Sequence, residues 1–213
     1  MIVSPSFLTA DFSKLESEIK SISSAKWIHF DVMDGVFVPN KTYDEAILSE
    51  IKNYSNQFFD CHLMIENPDK IAHKYVEAGA SLVTFHYEAK QESVSKTIDI
   101  IHDLGANAGI SIKPYTDVAD LVPYLDQVES ILIMSVEPGK GGQKFLEQSL
   151  KKIAFLSSMR EQGGFRYYIE VDGGINELTL PLVKKAGADV VVVGSYLFNQ
   201  DNRNQVIWDL EHE

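Results

Sequence analysis

Residues 27–33 read WIHFDVM, and this run decides the fold because its two faces ask for different surroundings. Alternation along a strand puts Ile28, Phe30 and Val32 on one side and His29, Asp31 and Met33 on the other. The apolar side calls for a packed layer, and helical segments flank the run: DFSKLESEIKSISSA before it and DEAILSEIKNYS after it. In the first of these Leu15, Ile19 and Ile22 make the three-to-four step of an amphipathic helix. The polar side then has to face an interior that tolerates charge.

The same alternation continues to both ends of the chain. Runs rich in Val, Ile, Phe and Tyr, namely IVSPSF, DCHLMI, LVTFHYE, NAGISIK, SILIMSV, YYIEVDG and VVVVGS, read as further strands. Between and after them lie PDKIAHKYVEAGA, ESVSKTIDIIHDLG, DVADLVPYLDQ, FLEQSLKKIAFLSSMREQ, LTLPLVKKAGA and NQVIWDLEH, all with helical spacing. Pro68 sits where a first helical turn tolerates it, and Gly79 and Gly187 sit where helices stop. Strands alternating with helices form a parallel sheet, because only a crossover helix returns the chain to start another strand in the same direction. Eight such units predict an α/β fold of the (β/α)₈ barrel type, and 213 residues lie near the lower size limit of about 200 for such a barrel. Residues 1–213 are expected to be a single domain. An open doubly wound sheet is the competing arrangement, but no GxGxxG follows the first strand, so a dinucleotide site is not indicated.

Composition narrows the partners. With 19 Lys and Arg against 31 Asp and Glu, the formal charge is −12, which argues against nucleic acid as a partner, since affinity for phosphate backbones comes from clustered cations. A single phosphate remains acceptable, because backbone N–H groups can hold it. The single Cys61 excludes an intramolecular disulfide framework and fits a reducing compartment. The beginning, MIVSPSFLTADF, lacks a basic segment ahead of an apolar stretch, and no run approaches a membrane span. The expectation is a cytoplasmic protein with no membrane partner.

Parity in DCHLMI groups Asp60, His62 and Met64, and in YYIEVDG it groups Glu170 and Asp172. If the apolar sets face outer helices, these side chains line the barrel interior toward the C-terminal rim, where barrel sites occur. Buried carboxylates are costly unless paired, hydrogen-bonded or bound to a cation. Any one of these residues alone is explained by a local hydrogen bond. Together, the two His and two Asp from three strands are expected to converge as ligands of a divalent metal, with imidazole nitrogen and carboxylate oxygen suiting zinc, iron or manganese. Such a centre suggests proton abstraction beside a carbonyl: the cation spreads enediolate charge while one carboxylate removes a proton and the other returns one to the far face. The result would be inversion at one carbon.

Glycines complete the pattern. Gly139, Gly141 and Gly142 follow the sixth strand, Gly173 and Gly174 the seventh, and Gly194 with Ser195 the eighth. Glycine-bearing loops after the last strands of a barrel let backbone N–H groups approach a phosphate.

SPSFLTADF, HFDVMDGVFVPN, DCHLMIENP, IMSVEPGKGGQKF, IEVDGGI and VVVGS, in this order and spacing from about Ser4 to about Phe198, resemble the ribulose-phosphate 3-epimerase family. The resemblance implies a TIM barrel that interconverts D-ribulose 5-phosphate and D-xylulose 5-phosphate at carbon 3, a step of the pentose phosphate pathway in carbohydrate metabolism. It implies one divalent ion, zinc first, with iron, manganese or cobalt as alternatives, held by His29, Asp31, His62 and Asp172. Asp31 and Asp172 would be the acid/base pair. Ser6 and His62 would touch substrate, while Met33, Met64 and Met134 line the site around the intermediate; without the family, three inward methionines read as core filling. Gly141, Gly142, Gly173, Gly174, Gly194 and Ser195, in the loops that also carry Gly139, would hold the phosphate.

Two positions depart from the family pattern. Lys140 stands where Phe is common and Lys113 where Asn is common, each on the catalytic rim. A cation there either meets a substrate group or points into solvent, so a six-carbon ketose phosphate such as allulose 6-phosphate stays open as substrate beside the pentose. A non-catalytic sugar-phosphate binder is disfavoured, since a binder has no need of a carboxylate on each face. An orotidine-phosphate type of decarboxylase is disfavoured because Met33 stands where its DxKxxD motif needs Lys. His86 and Glu88 share a face and read as structural or supporting groups. Cys61 points away from His62, which disfavours a Cys/His nucleophile. Trp27 and Trp208 read as core or subunit-contact residues, leaving a homo-oligomer open.

Overall fold

The computed structural model describes residues 1–212. Eight parallel strands form one sheet: β1 (Ile2–Pro5), β2 (Trp27–Met33), β3 (Phe58–Met64), β4 (Leu82–His86), β5 (Asn107–Ile112), β6 (Ser130–Met134), β7 (Tyr168–Asp172) and β8 (Val190–Val193). From β2 to β8 each strand pairs with its sequence neighbours, β1 pairs with β8, and a lone parallel bridge from Ser6 to His29 draws β1 toward β2. The sheet is therefore a nearly closed barrel, as the alternation predicts.

The helices are α1 (Leu15–Ser21), α2 (Glu45–Ile51), α3 (Pro68–Glu77), α4 (Val94–Asp103), α5 (Ser149–Gly163), α6 (Leu180–Ala186), α7 (Ser195–Phe198) and α8 (Arg203–His212); one follows each strand except β5, and both α7 and α8 follow β8. Local chemistry sets their ends. Asp44 accepts from the N–H of Ala46 before α2, Ser93 accepts from that of Lys96 before α4, and Pro68 opens α3. Gly187 stops α6 at a φ of +110°.

DVADLVPYLDQ departs from expectation. It forms a 3₁₀-helix over Val118–Tyr124 with Pro123 inside; proline has no N–H for an α-type bond, so the segment winds into the tighter form. The short α7 carries no helical signature in the sequence, because four residues are too few to show a period.

The outward strand residues, among them Ile28, Phe30, Cys61, Leu63, Val83, Phe85, Ile131, Val171 and Val191, join the helices' apolar faces in one main core. The inward residues stack in tiers. At the N-terminal end Trp27, Leu82 and Val190 pack with Ile2 and Phe58 into an apolar plug. Above the plug the β2–β3 register sets His29 beside Asp60, then Asp31 beside His62, then Met33 beside Met64. A barrel interior is packed, not hollow, so these polar side chains have only one another as partners.

Candidate active site

At the C-terminal end of the strands lies a cavity of about 310 Å³ lined by Ser6, Asp31, Met33, Met64, Met134 and Asp172 on the barrel side. The rim above it carries Gly139, Lys140, Gly141, Gly142, Gly173, Gly174, Gly194 and Ser195. His29 and His62 are fully buried beneath the cavity wall and do not line it. Their ring nitrogens approach the cavity through Asp31: His29 Nε2 lies 3.4 Å and His62 Nδ1 3.3 Å from Asp31 Oδ1. One donor atom from each of His29, Asp31, His62 and Asp172 falls within 4.8 Å of the others. The residues singled out on β2, β3 and β7 thus converge.

The donor set fits a divalent cation. His29 Nε2 is buried without a hydrogen-bond partner, and a buried ring nitrogen left so is costly unless something is bound there. Two imidazoles and two carboxylates suit zinc, iron, manganese or cobalt better than calcium or magnesium, which prefer oxygen throughout.

Electrostatics separate the two aspartates. Burial opposes ionisation of Asp31, but His29 and His62 outweigh it and hold the carboxyl well below its usual range. For Asp172, desolvation and the charge of Asp31 act together and push it up to about 6. One carboxylate is thereby firmly charged and the other able to take up a proton near neutrality. Asp31 is also oriented, because the Ser6 hydroxyl donates to its Oδ2 at 2.7 Å.

A second tier supports the histidines. His29 Nδ1 lies 2.6 Å from Asp60 Oδ2 and 3.6 Å from Glu170 Oε1, while the Thr84 hydroxyl donates to Asp60 at 3.3 Å. Burial disfavours the His29 imidazolium, yet Asp60 and Asp31 lift its pKa well above the usual value. Burial and the charge of Asp60 push Glu170 up to about 8, so it is mainly a neutral acid at pH 7. Asp60 and Glu170 share the inward parity of the ligands, but the sequence does not distinguish a ligand from the group behind it; depth along the strand does.

The rim is built by backbone constraint. Gly173 and Gly174 have φ of +121° and +65°, and a Cβ on Gly174 would come within 2.6 Å of the Phe145 nitrogen. No other residue lets the loops after β6 and β7 pass so closely. Lys140 lines the cavity, whereas Lys113 does not: its ammonium lies over the Phe37 ring, 4.0 Å from the centroid. Gln143, Asn176, Tyr196 and Asn199 also line the cavity. They lie in loops or in and beside the short α7, where no period in the sequence marks them. Among the described residues, no helix is long and apolar enough to cross a membrane.

A family model described as the ribulose-phosphate 3 epimerase family matches residues 2–198. The chain belongs to this family. It is 40% identical over 211 residues to the ribulose-phosphate 3-epimerase of Bacillus subtilis, covering 98% of this chain and 97% of that protein. With the enzyme of the same name from Mycobacterium bovis it shares 42% over 201 residues, covering 94% of this chain and 87% of that one. More distant sequences share the barrel. The 3-hexulose-6-phosphate synthase of Salmonella typhimurium superposes with a TM-score of 0.73 at 15% identity, over 100% of this chain and 97% of that one. The orotidine 5'-phosphate decarboxylase of Pyrococcus horikoshii gives 0.67 at 16% identity, over 100% of both chains. At such identity the likeness concerns the fold alone.

Proposed function

We propose that residues 1–213 act as a single catalytic domain that interconverts D-ribulose 5-phosphate and D-xylulose 5-phosphate, inverting carbon 3. The observation that carries this reading is the pairing of Asp31 and Asp172. They rise from β2 and β7, strands separated around the barrel by β1 and β8, and both face the one cavity. Their proton affinities are set apart.

In this reading one carboxylate removes the carbon-3 proton and the C–H electrons move onto the carbonyl at carbon 2, giving a planar enediolate. The other, protonated, delivers its proton to the opposite face of carbon 3, and the electrons return to restore the carbonyl. The pair ends with the proton on the partner that began without it, so the reverse reaction uses the same groups in exchanged roles. His29, Asp31, His62 and Asp172 would hold one divalent ion, zinc first among the candidates, and when bound it supplies positive charge where the enediolate develops negative charge. Ser6 keeps one Asp31 oxygen occupied and so orients the other. Met33, Met64 and Met134 exclude water from the plane of the intermediate. Backbone N–H groups of the loops at Gly139, Gly141 and Gly142, at Gly173 and Gly174, and at Gly194 and Ser195 would receive the phosphate, with Lys140 adding a cation at the same rim. The buried free thiol of Cys61 is compatible with a reducing, cytoplasmic setting.

The test is exchange of the carbon-3 proton with solvent deuterium, run on a panel of ketopentose and ketohexose phosphates with metal analysis of the same sample. Deuterium in both epimers of the pentose supports the assignment. Tight binding without incorporation would assign a binder, and faster exchange with allulose 6-phosphate would move the assignment to the six-carbon sugar.

A further inference from the structure

The proposed ligand His62 meets a second imidazole on its far side. Its Nε2 lies 2.9 Å from Nε2 of His86, whose Nδ1 lies 3.2 Å from Glu88 Oε2. The other Glu88 oxygen accepts the Lys113 N–H at 2.7 Å and the Thr116 hydroxyl. Both imidazoles are fully buried, and the Phe37 ring covers His86 with centroids 4.7 Å apart. Water is thus kept from the contact between the two rings.

Two ring nitrogens at hydrogen-bond distance need one proton between them, and the direction follows from the far end. Glu88 already accepts two donors on one oxygen, as an ionised carboxylate does, and only accepts. His86 Nδ1 therefore carries the hydrogen that faces it. A neutral His86 then has a bare Nε2, which accepts from Nε2–H of His62. This leaves His62 Nδ1 as the bare lone pair, 3.3 Å from Asp31 Oδ1 on the side where the donor atoms converge. Each arrangement sets one ring lone pair against a carboxylate: the reverse one puts His86 Nδ1 against Glu88 Oε2, whose near donor is His86 itself, whereas this one puts His62 Nδ1 against Asp31 Oδ1, whose charge the His29 ring at 3.4 Å also offsets.

We propose that Glu88 and His86 are positioning residues that set the tautomer of His62, holding its Nδ1 bare toward the convergence of His29, Asp31 and Asp172. The consequence for the cation rests on the metal reading above; the tautomer itself does not. Outer partners of ligating histidines commonly change metal affinity by about 10- to 100-fold. The relay extends that support over two residues, and it ends on the loop after β5 that carries Lys113.

The test reads the imidazole nitrogens directly. In the metal-free full-length chain with ¹⁵N-labelled histidine, near pH 8 where unpaired imidazoles are neutral, long-range ¹H–¹⁵N spectra should place the His62 hydrogen on Nε2. His62→Asn identifies the signals. In Glu88→Gln the amide oxygen keeps the Lys113 and Thr116 bonds while the NH₂ faces His86, so the hydrogen on His62 should move toward Nδ1. The Mn²⁺ dissociation constant should rise about 10- to 100-fold with an unchanged melting temperature. A wild-type spectrum with the hydrogen on Nδ1 overturns the proposal without recourse to any variant, as does a Glu88→Gln chain unchanged in both tautomer and Mn²⁺ affinity. A wild-type chain that takes up no Mn²⁺ refutes the metal reading instead, and its imidazole spectrum still decides the relay.

Discussion

The two ends of the barrel interior use the same strands and the same inward parity for opposite purposes. At the N-terminal end Trp27 stacks within 4.3 Å of Phe58 and meets the edge of Tyr168 at 5.4 Å, so the inward positions there bury apolar area. Four residues along β2 from Trp27, Asp31 faces His62 across the register, and the inward positions concentrate charge. Burying apolar area stabilises the fold, whereas burying charge costs stability unless it is paired. The stabilising work is thus segregated to the bottom of the barrel and the destabilising chemistry to the mouth, on elements continuous enough for the first to hold the second in place.

The sharpest way to break that contrast is Asp172→Asn at the mouth. Turnover should fall by about 10²- to 10⁴-fold, measured as kcat, because the amide neither takes nor gives the proton. Stability of the metal-free chain should not fall. In the folded chain Asp172 is pushed up to about 6 from its ordinary value of 3.8, so ionising it as pH rises from the lower to the higher value disfavours the folded state, and the neutral amide avoids that cost at pH 7. An equal loss of Tm and kcat would show the mouth to be structural. The bottom should respond in reverse. Trp27→Ala should cost about 3–5 kcal/mol in urea unfolding while kcat per folded molecule stays within about twofold.

Much of this segregation is legible in WIHFDVM, DCHLMI and YYIEVDG, because a period of two assigns each residue a face once both flanks are helical. Tier is less legible. Glu170 and Asp172 lie on the same face of β7, and only the stagger of strands around the barrel puts Asp172 in the cavity and Glu170 beneath it. The relay through His86 and Glu88 was hidden for a related reason: FHYE gives a shared face, but the 2.9 Å contact with His62 depends on how β3 and β4 bring their inward rings together. Val118–Tyr124 shows the converse: the spacing of DVADLVPYLDQ predicts a helix, and Pro123, which has no N–H for an α-type bond, tightens it to a 3₁₀-helix.

The rim offers an intermediate case, with a smaller effect than either end. Gly174→Ala forces a Cβ to within 2.6 Å of the Phe145 backbone at a φ of +65°, which the neighbouring loop relieves only by shifting. A positive φ imposed on a non-glycine residue costs about 1–3 kcal/mol. Because the displaced segment is the proposed phosphate cradle, KM should rise about tenfold or more with kcat changed less. A kcat effect with KM intact would place the phosphate elsewhere.

The mildest perturbation changes no residue. A cation seated on Asp172 must displace its proton below about pH 6, and one seated on His29 must displace the proton that Asp60 and Asp31 help to retain. Affinity for Mn²⁺ should therefore weaken by about tenfold or more per pH unit on the acid side of pH 6, measured by titration in buffers that differ in ionisation enthalpy, where the number of protons released is read directly. The apolar plug holds no group that titrates in that range, so the unfolding free energy lost with Trp27→Ala should be the same at about pH 5 and pH 7. If the plug variant's loss changed with pH as the metal affinity does, the two ends would be coupled through the His29, Asp60 and Glu170 tier between them, and the division of labour along the barrel axis would fail.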